Sequence, residues 1–347
     1  MTKLKIGFIG VGNMGQAAHL RNYATLEGCE VVALAEPRPE LARRVAERYA
    51  VARTYASAAE MLEREQLDGL VAVQPFDRHG QLIAPLYASK LPIFTEKPLA
   101  ASVEIGRRMV EALEHSGSWH MVGYHKRSDP ATMLVKAELE RLRSSGEWGR
   151  MRLLRLTMPE GNYIQNGFDD LIQTGEAVPP TPADLRADWN DPYLLFVNYY
   201  IHQVNLMRHL FGEPYRVTYA DPSGVVMGAQ SIGGVPGILE MTPYRSSQDW
   251  QESAFIGFDS GFIQLELPAP LALHRAGRVK LFSDLNGKAQ TLEPTLPPVH
   301  AMKQQALNFL AAIRGECAPI CTAQEALLDL ETARDYINLL SQNTGGN

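Results

Sequence analysis

Two residues far apart in the chain have the chemistry to move a proton. Lys97 ends the apolar run Pro92–Thr95 and its Glu96, and Pro98 follows it. His202 sits in a long apolar stretch, and a free imidazole titrates near neutrality. A lysine takes a proton from a hydroxyl when burial or a nearby positive charge lowers its own affinity. Pro98 disfavours the α region at Lys97 and holds it extended, which directs its side chain. A buried Glu96 beside Lys97 is costly unless both groups are engaged. His202 is one of four polar residues, Asn198, His202, Asn205 and His209, recurring at four, three and four. On a helix they form one stripe. Polar groups in a buried helix need partners, so the stripe is either a set of satisfied core residues or the wall of a wet pocket. His202 is the best acid/base candidate of the four.

A third feature supplies a ligand for that chemistry. The apolar run Ile6–Ile9 leads into Gly10-x-Gly12-x-x-Gly15, after which Gln16 to Tyr23 continue as a helix. Strand, glycine turn and helix start in that order mark a dinucleotide site. Gly10 permits the tight turn, Gly12 lets a pyrophosphate reach the backbone, and Gly15 lets helix and strand pack closely. Asn13 and Met14 lie between, and the helix start offers N–H groups to phosphate. Glu36 lies 21 positions after Gly15 at the end of the apolar run EVVALA. A carboxylate there accepts from ribose hydroxyls and repels a 2′-phosphate, which favours NAD; Arg38, two residues on, partly offsets that and leaves NADP open. Gln74, Pro75 and His79 follow the third apolar strand, so topology places them, with Glu96 and Lys97, on the ligand edge.

The elements that must position these residues alternate up to about residue 125. Strands are expected at Leu4–Ile9, Glu30–Ala35, Leu67–Val73, Pro92–Thr95 and Trp119–Tyr124, with helices at Arg38–Tyr49, Ala58–Glu65, His79–Ser89 and Ser102–Ser116. Continuous apolar strands alternating with helices predict a parallel sheet covered on both faces. Beyond 126 the pattern changes. A helix is expected at Asp129–Arg143, a strand at Arg150–Thr157, and then an irregular segment from Pro159 to Trp189, long enough to be a functional loop. The buried helix Pro192–Phe211 follows, then strands at Tyr215–Tyr219, Gly237–Thr242, Glu252–Gly257, Phe262–Glu266, Arg278–Phe282 and Ala289–Leu292. Successive strands with turns between them predict an antiparallel sheet. Helices His300–Arg314 and Thr322–Leu340 close the chain. The expected division is 1–125 for the nucleotide and 126–347 for the substrate, with the C-terminal helices packing back on the first domain.

Composition narrows the classes. The 347 residues are 45% hydrophobic and 21% charged, with a net charge of −6. That is ordinary globular composition without a basic patch for nucleic acid. No stretch has the length of a membrane span, and the first strand begins at once, leaving no room for a signal peptide. Cys29, Cys317 and Cys321 cannot make a disulfide framework or complete a zinc site, which points to a reducing, cytoplasmic setting and no metal. Tyr124, His125, Lys126 and Arg127 lie at the crossover between the two halves. Lys126 and Arg127 either bind an anionic or hydroxyl-rich substrate or pair with carboxylates. Asn162, Tyr163, Trp189, Asn198 and Tyr199 add amides and aromatic faces suited to a polyhydroxylated ring; for Asn162 a plain turn role is equally good.

With GFIGVGNMG at 7–15, Glu36, QPFDRH at 74–79, EKP at 96–98, YHKRSDP at 124–130 and NYYIH at 198–202, the chain resembles the Gfo/Idh/MocA oxidoreductase family over essentially its whole length. The resemblance implies a Rossmann domain followed by an α+β domain with a large open, mostly antiparallel sheet. That sheet often makes the interface of a homodimer or homotetramer. It also implies NAD(P)-dependent hydride transfer to or from a secondary alcohol or ketone of a sugar, glycoside or cyclitol. Lys97 matches the family's catalytic lysine and His202 its helix histidine. Asn198 stands where the family often has aspartate. A neutral amide holds the imidazole without raising its basicity, which gives Lys97 more weight. Some relatives are redox-neutral glycosidases that keep their NAD, which makes that class the alternative. A non-catalytic NAD sensor is a third, opposed by the joint presence of EKP and the helix histidine.

Overall fold

The computed structural model describes residues 2–178, 184 and 190–344. Six strands form one sheet: β1 (Leu4–Ile9), β2 (Cys29–Ala35), β3 (Arg53–Tyr55), β4 (Gly69–Ala72), β5 (Ile93–Glu96) and β6 (His120–Gly123). Their order is β3-β2-β1-β4-β5-β6, and every pair is parallel. The order reverses between β1 and β4, the crevice where open α/β sheets bind ligands. The short edge strand β3 was not expected from the sequence: Arg-Thr-Tyr is neither apolar nor buried, so no periodicity marks it.

Two helices of this sheet differ from expectation. The stretch after the glycine turn is a π-helix over Gly15–Leu20, all six residues buried, which passes into α-helix at Arg21–Tyr23. The expected helix His79–Ser89 is α only to Leu82 and becomes 3₁₀ over Ala84–Ser89. Pro85 lacks the N–H an α-helix interior requires.

A second sheet has eight strands: β7 (Met151–Glu160), β8 (Tyr215–Ala220), β9 (Val226–Ser231), β10 (Pro236–Arg245), β11 (Glu252–Phe258), β12 (Gly261–Leu267), β13 (Arg278–Leu285) and β14 (Lys288–Leu292). The order is β14-β13-β12-β11-β7-β10-β9-β8. All neighbours are antiparallel except β7 and β10. Strand β9, with Gly228 inside it, carries no run of large apolar residues and was missed for that reason. Burial alternates along β9, β10 and β12, so one face is covered and the other half-open. The half-open face carries Phe255, Phe262 and Phe282 in a stack, with centroids 5.4 and 5.2 Å apart. The expected helix Pro192–Phe211 is two, Pro192–Tyr199 and Ile201–Phe211. Tyr200 interrupts them, and its carbonyl accepts from both Gln203 and Val204.

The chain divides into two compact units, but not by a single cut at residue 126. The first holds residues 1–124, 166–194 and 305–330; the second holds 125–165, 195–304 and 331–347. The physical reason is burial. Ile172 from the long segment and Phe309 from the helix Ala301–Ile313 are buried in the same core as Phe8, Val11, Leu41 and Phe94.

Candidate functional site

The glycine turn has the shape its sequence predicts. Gly10 has φ +86, and a Cβ there would lie 2.4 Å from the Val73 carbonyl oxygen. A Cβ on Gly15 would lie 2.6 Å from the Gly10 oxygen, whereas one on Gly12 would meet nothing nearer than the Arg38 guanidinium at 3.8 Å. Gly10 and Gly15 are therefore required by packing, and Gly12 leaves open space above the backbone, as a phosphate cradle demands. Asn13 is exposed and Met14 half-buried beside it.

Glu36 follows β2 and is buried, yet its carboxylate is fully used. Oε2 accepts the Val11 N–H at 3.0 Å, and the Arg38 guanidinium donates to both oxygens, at 2.6 and 3.0 Å. The acid thus ties β2 to the glycine turn while its charge is matched by Arg38. Gln74 lies against the turn, its amide 2.7 Å from the position a Gly10 Cβ would take; Pro75 is exposed. His79 is fully buried, with Nδ1 3.0 Å from the Leu99 carbonyl and Nε2 3.1 Å from that of Gln74. Burial pushes its proton affinity down against the pull of those carbonyls. It holds the segment after β4 to the segment after Lys97.

The long segment also belongs to this unit. Gln16 donates to the Val11 carbonyl at 2.9 Å and to the Ile172 carbonyl at 3.1 Å, and accepts the Ile172 N–H at 3.0 Å. Glu176 accepts the N–H groups of Glu40 and Leu41 at 3.1 and 2.9 Å, capping the helix Pro39–Tyr49, which has no cap of its own. Glu96 ends β5. Its Oε1 is 2.6 Å from His19 Nε2, and its Oε2 accepts the Lys97 N–H at 3.2 Å. Sequence reasoning expected a partner for Glu96 but did not find His19, which lies 77 positions away.

In the second unit the crossover residues are buried. His125 meets His202 edge to face, centroids 4.6 Å apart at 75°. Lys126 pairs with Glu252 and lies 5.6 Å from the centre of the Trp250 ring. Glu252 also accepts from Gln203 at 2.8 Å and from the Trp250 indole at 3.1 Å. Of the two roles open to Lys126, the structure shows the carboxylate pair. Arg127 Nε donates to Asn205 at 2.7 Å, so that member of the stripe is a satisfied core residue. Burial, helped by the charges of Arg127 and Lys136, pulls His209 well below its ordinary range and keeps it neutral. The outer half of the stripe differs: His202 is half-buried and Asn198 exposed. Tyr199 is half-buried against Tyr200 and the Trp250 cluster, and burial pushes its phenol up to about 12. Asn162 accepts from the N–H groups of Ile164 and Gln165 at 3.2 and 2.8 Å, a turn role; Tyr163 is exposed. Tyr124 is buried at the end of the first unit, and Trp189 lies outside the described residues. Among the described residues no group of three His, Cys, Asp or Glu is placed for a metal, and no helix is long and apolar enough to cross a membrane.

A 3-2-1-4-5-6 parallel sheet, a glycine turn that accepts no side chain at two positions, and an acid at the end of β2 define a dinucleotide-binding unit of the Rossmann class. A family model described as an oxidoreductase family with an NAD-binding Rossmann fold matches residues 4–124. Over those residues the chain is similar to the Gfo/Idh/MocA oxidoreductase family. It is 27% identical to the rhizopine catabolism protein MocA of Rhizobium meliloti, over 99% of this chain and 97% of that one. It is 32% identical to the inositol 2-dehydrogenase of Acidothermus cellulolyticus over 61% of this chain, a match that spans 55% of that enzyme. The fold is that of an oxidoreductase from Agrobacterium radiobacter solved with NAD+, L-tartaric acid and magnesium. The TM-score is 0.73 and the identity 14%, over 99% of this chain and 97% of that one.

Proposed function

We propose that this NAD-dependent oxidoreductase acts on a secondary alcohol or ketone of a cyclitol or sugar. The observation that carries the reading is Lys97. It follows β5 on the carboxyl edge of the sheet that also carries the glycine turn, held there by Glu96 and the buried Leu99. When bound, NAD accepts or supplies the hydride. Gly12, Asn13 and Met14 offer the phosphates an open backbone, and Glu36 with Arg38 takes the ribose end. Because Arg38 already matches the charge of Glu36, the same site admits NADP as a second cofactor. Lys97 and His202 handle the hydroxyl proton, and Asn198, Tyr199 and Tyr163 contact the ring. The inositol 2-dehydrogenase relatives support a cyclitol first. The half-open sheet face with its phenylalanine stack supports a homodimer or homotetramer, and three free cysteines support a cytoplasmic setting.

The test is turnover on a panel of inositols, sugars and glycosides. With NAD+ and a cyclitol, NADH absorbance should rise. Lys97→Ala and His202→Ala should each lower kcat by about 10²–10⁴ while NAD+ binding, read by calorimetry, survives. Unchanged turnover in both variants refutes the assignment, and sugar release from a glycoside without net NADH indicates the redox-neutral class instead.

A further inference from the structure

The reading of Lys97 as the group that handles the proton leaves open what holds it. The answer lies in the π-helical turn. His19 and Glu96 are both buried, come from elements 77 positions apart, and meet at 2.6 Å. The His19 ring also leans on Phe94 of β5, centroids 5.2 Å apart. Three elements are thus joined through one imidazole: the helix start, β5 and the Lys97 turn. π-Turns occur often at functional sites because the widened turn redirects a side chain, and this one spans Gly15–Leu20.

We propose that His19 is a positioning residue for Lys97. It holds Glu96 so that one carboxylate oxygen fixes the Lys97 backbone and the shared negative charge stands beside the Lys97 ammonium. The titratable groups around Glu96 are His19 from the helix, Lys97 from its own turn and His79 from the segment after β4. Burial pushes the Glu96 carboxyl up, but the His19 hydrogen bond and charge, with Lys97, outweigh it and hold it below its ordinary value. Glu96 is therefore an anion through the neutral range. His19 takes part of that charge at Oε1. Removing His19 frees it for Lys97, whereas neutralising Glu96 removes it altogether.

The two changes should move Lys97 in opposite directions, which a loosened turn would not do. The experiment is competitive labelling of full-length, NAD-free protein with trace acetic anhydride from about pH 6 to about pH 11. Modification of Lys97 is read by peptide mass spectrometry against the exposed Lys90. Glu96→Gln should lower the Lys97 midpoint by about one pH unit, tenfold in proton affinity. His19→Phe should raise it, and His19→Gln, which keeps a donor, should stay near wild type. Circular dichroism confirms folding, and His19→Gln and Glu96→Gln preserve side-chain shape if His19→Phe does not fold. Any other pattern, with either variant unmoved or both shifted the same way, overturns the proposal. The labelling needs no turnover, so its failure is separate from failure of the dehydrogenase reading. With a substrate in hand, the pH profile of kcat/KM should shift in the same two directions.

Discussion

Two ion pairs, one from each unit, lie close to residues singled out for function, and they behave differently. Glu36–Arg38 stands at the end of β2, with 19% of the Arg38 side chain exposed. Lys126–Glu252 is sealed, at 4% and 2% exposure, and is tied further by Gln203 and Trp250. The Arg38 guanidinium keeps part of its surface in water, so turning toward a ligand leaves it solvated. A buried ammonium cannot turn away, because leaving its partner strands two desolvated charges. An acid–base pair is thus partly open in one place and a fixture in the other, and burial makes the difference.

That comparison can be broken at several points. The largest effect is expected for Glu252→Gln, which leaves Lys126 buried without a counter-charge and should cost about 3–5 kcal/mol in urea unfolding. Replacing Lys126 and Glu252 together by apolar residues of similar volume should recover much of that loss. Loss of less than about 1 kcal/mol for Glu252→Gln alone would mean that Lys126 is free to serve a ligand.

Asp129 sharpens the picture of this sealed region through pH. It caps the helix Pro130–Ser145 and accepts from Ala131 at 2.8 Å and Gly277 at 2.9 Å. Burial, opposed by those bonds and by Lys126, raises its carboxyl from 3.8 to about 6. The native state therefore holds an extra proton between those two values. The stability it contributes is complete below the lower one and lost as pH rises through the upper. Relative to Asp129→Asn, which keeps the cap, the wild type should lose up to about 3 kcal/mol over that interval. A difference that does not change with pH would show that Asp129 titrates normally.

The smallest expected effect belongs to the open pair. Arg38→Ala should weaken NADP binding at least about tenfold relative to NAD. Equal affinity losses for the two cofactors would place Arg38 away from the 2′ position.

Much of the first unit was legible because its signals are local. Gly10, Gly12, Gly15 and Glu36 lie within one strand-turn-helix-strand run, where spacing and conformation are linked. The strand ends placed Gln74 and Lys97 on the correct sheet edge for the same reason. The second unit was legible as a sheet, from its turns and alternating burial, but its polar residues were not. Lys126, Arg127, Asn205 and His202 look alike in the sequence. Which of them meets Glu252, a second imidazole or solvent depends on distant chain segments, as with Arg127 and Asn205, 78 apart, and Lys126 and Glu252, 126 apart. The helix break at Tyr200 has the same origin: nothing in the apolar pattern marks it, and it appears where Tyr199 and Tyr200 pack against Trp250.

By itself the sequence determined a parallel nucleotide sheet, its glycine turn, the acid after β2 and a lysine just past the end of β5, because each follows from short-range geometry and burial. Only the tertiary structure decided which charges are spent. Glu36 is shared with Arg38, Lys126 is sealed on Glu252, Asn205 on Arg127, and Glu96 is held by His19. A charge's role depends on its partner and on how much water remains, and both are fixed only when distant segments come together.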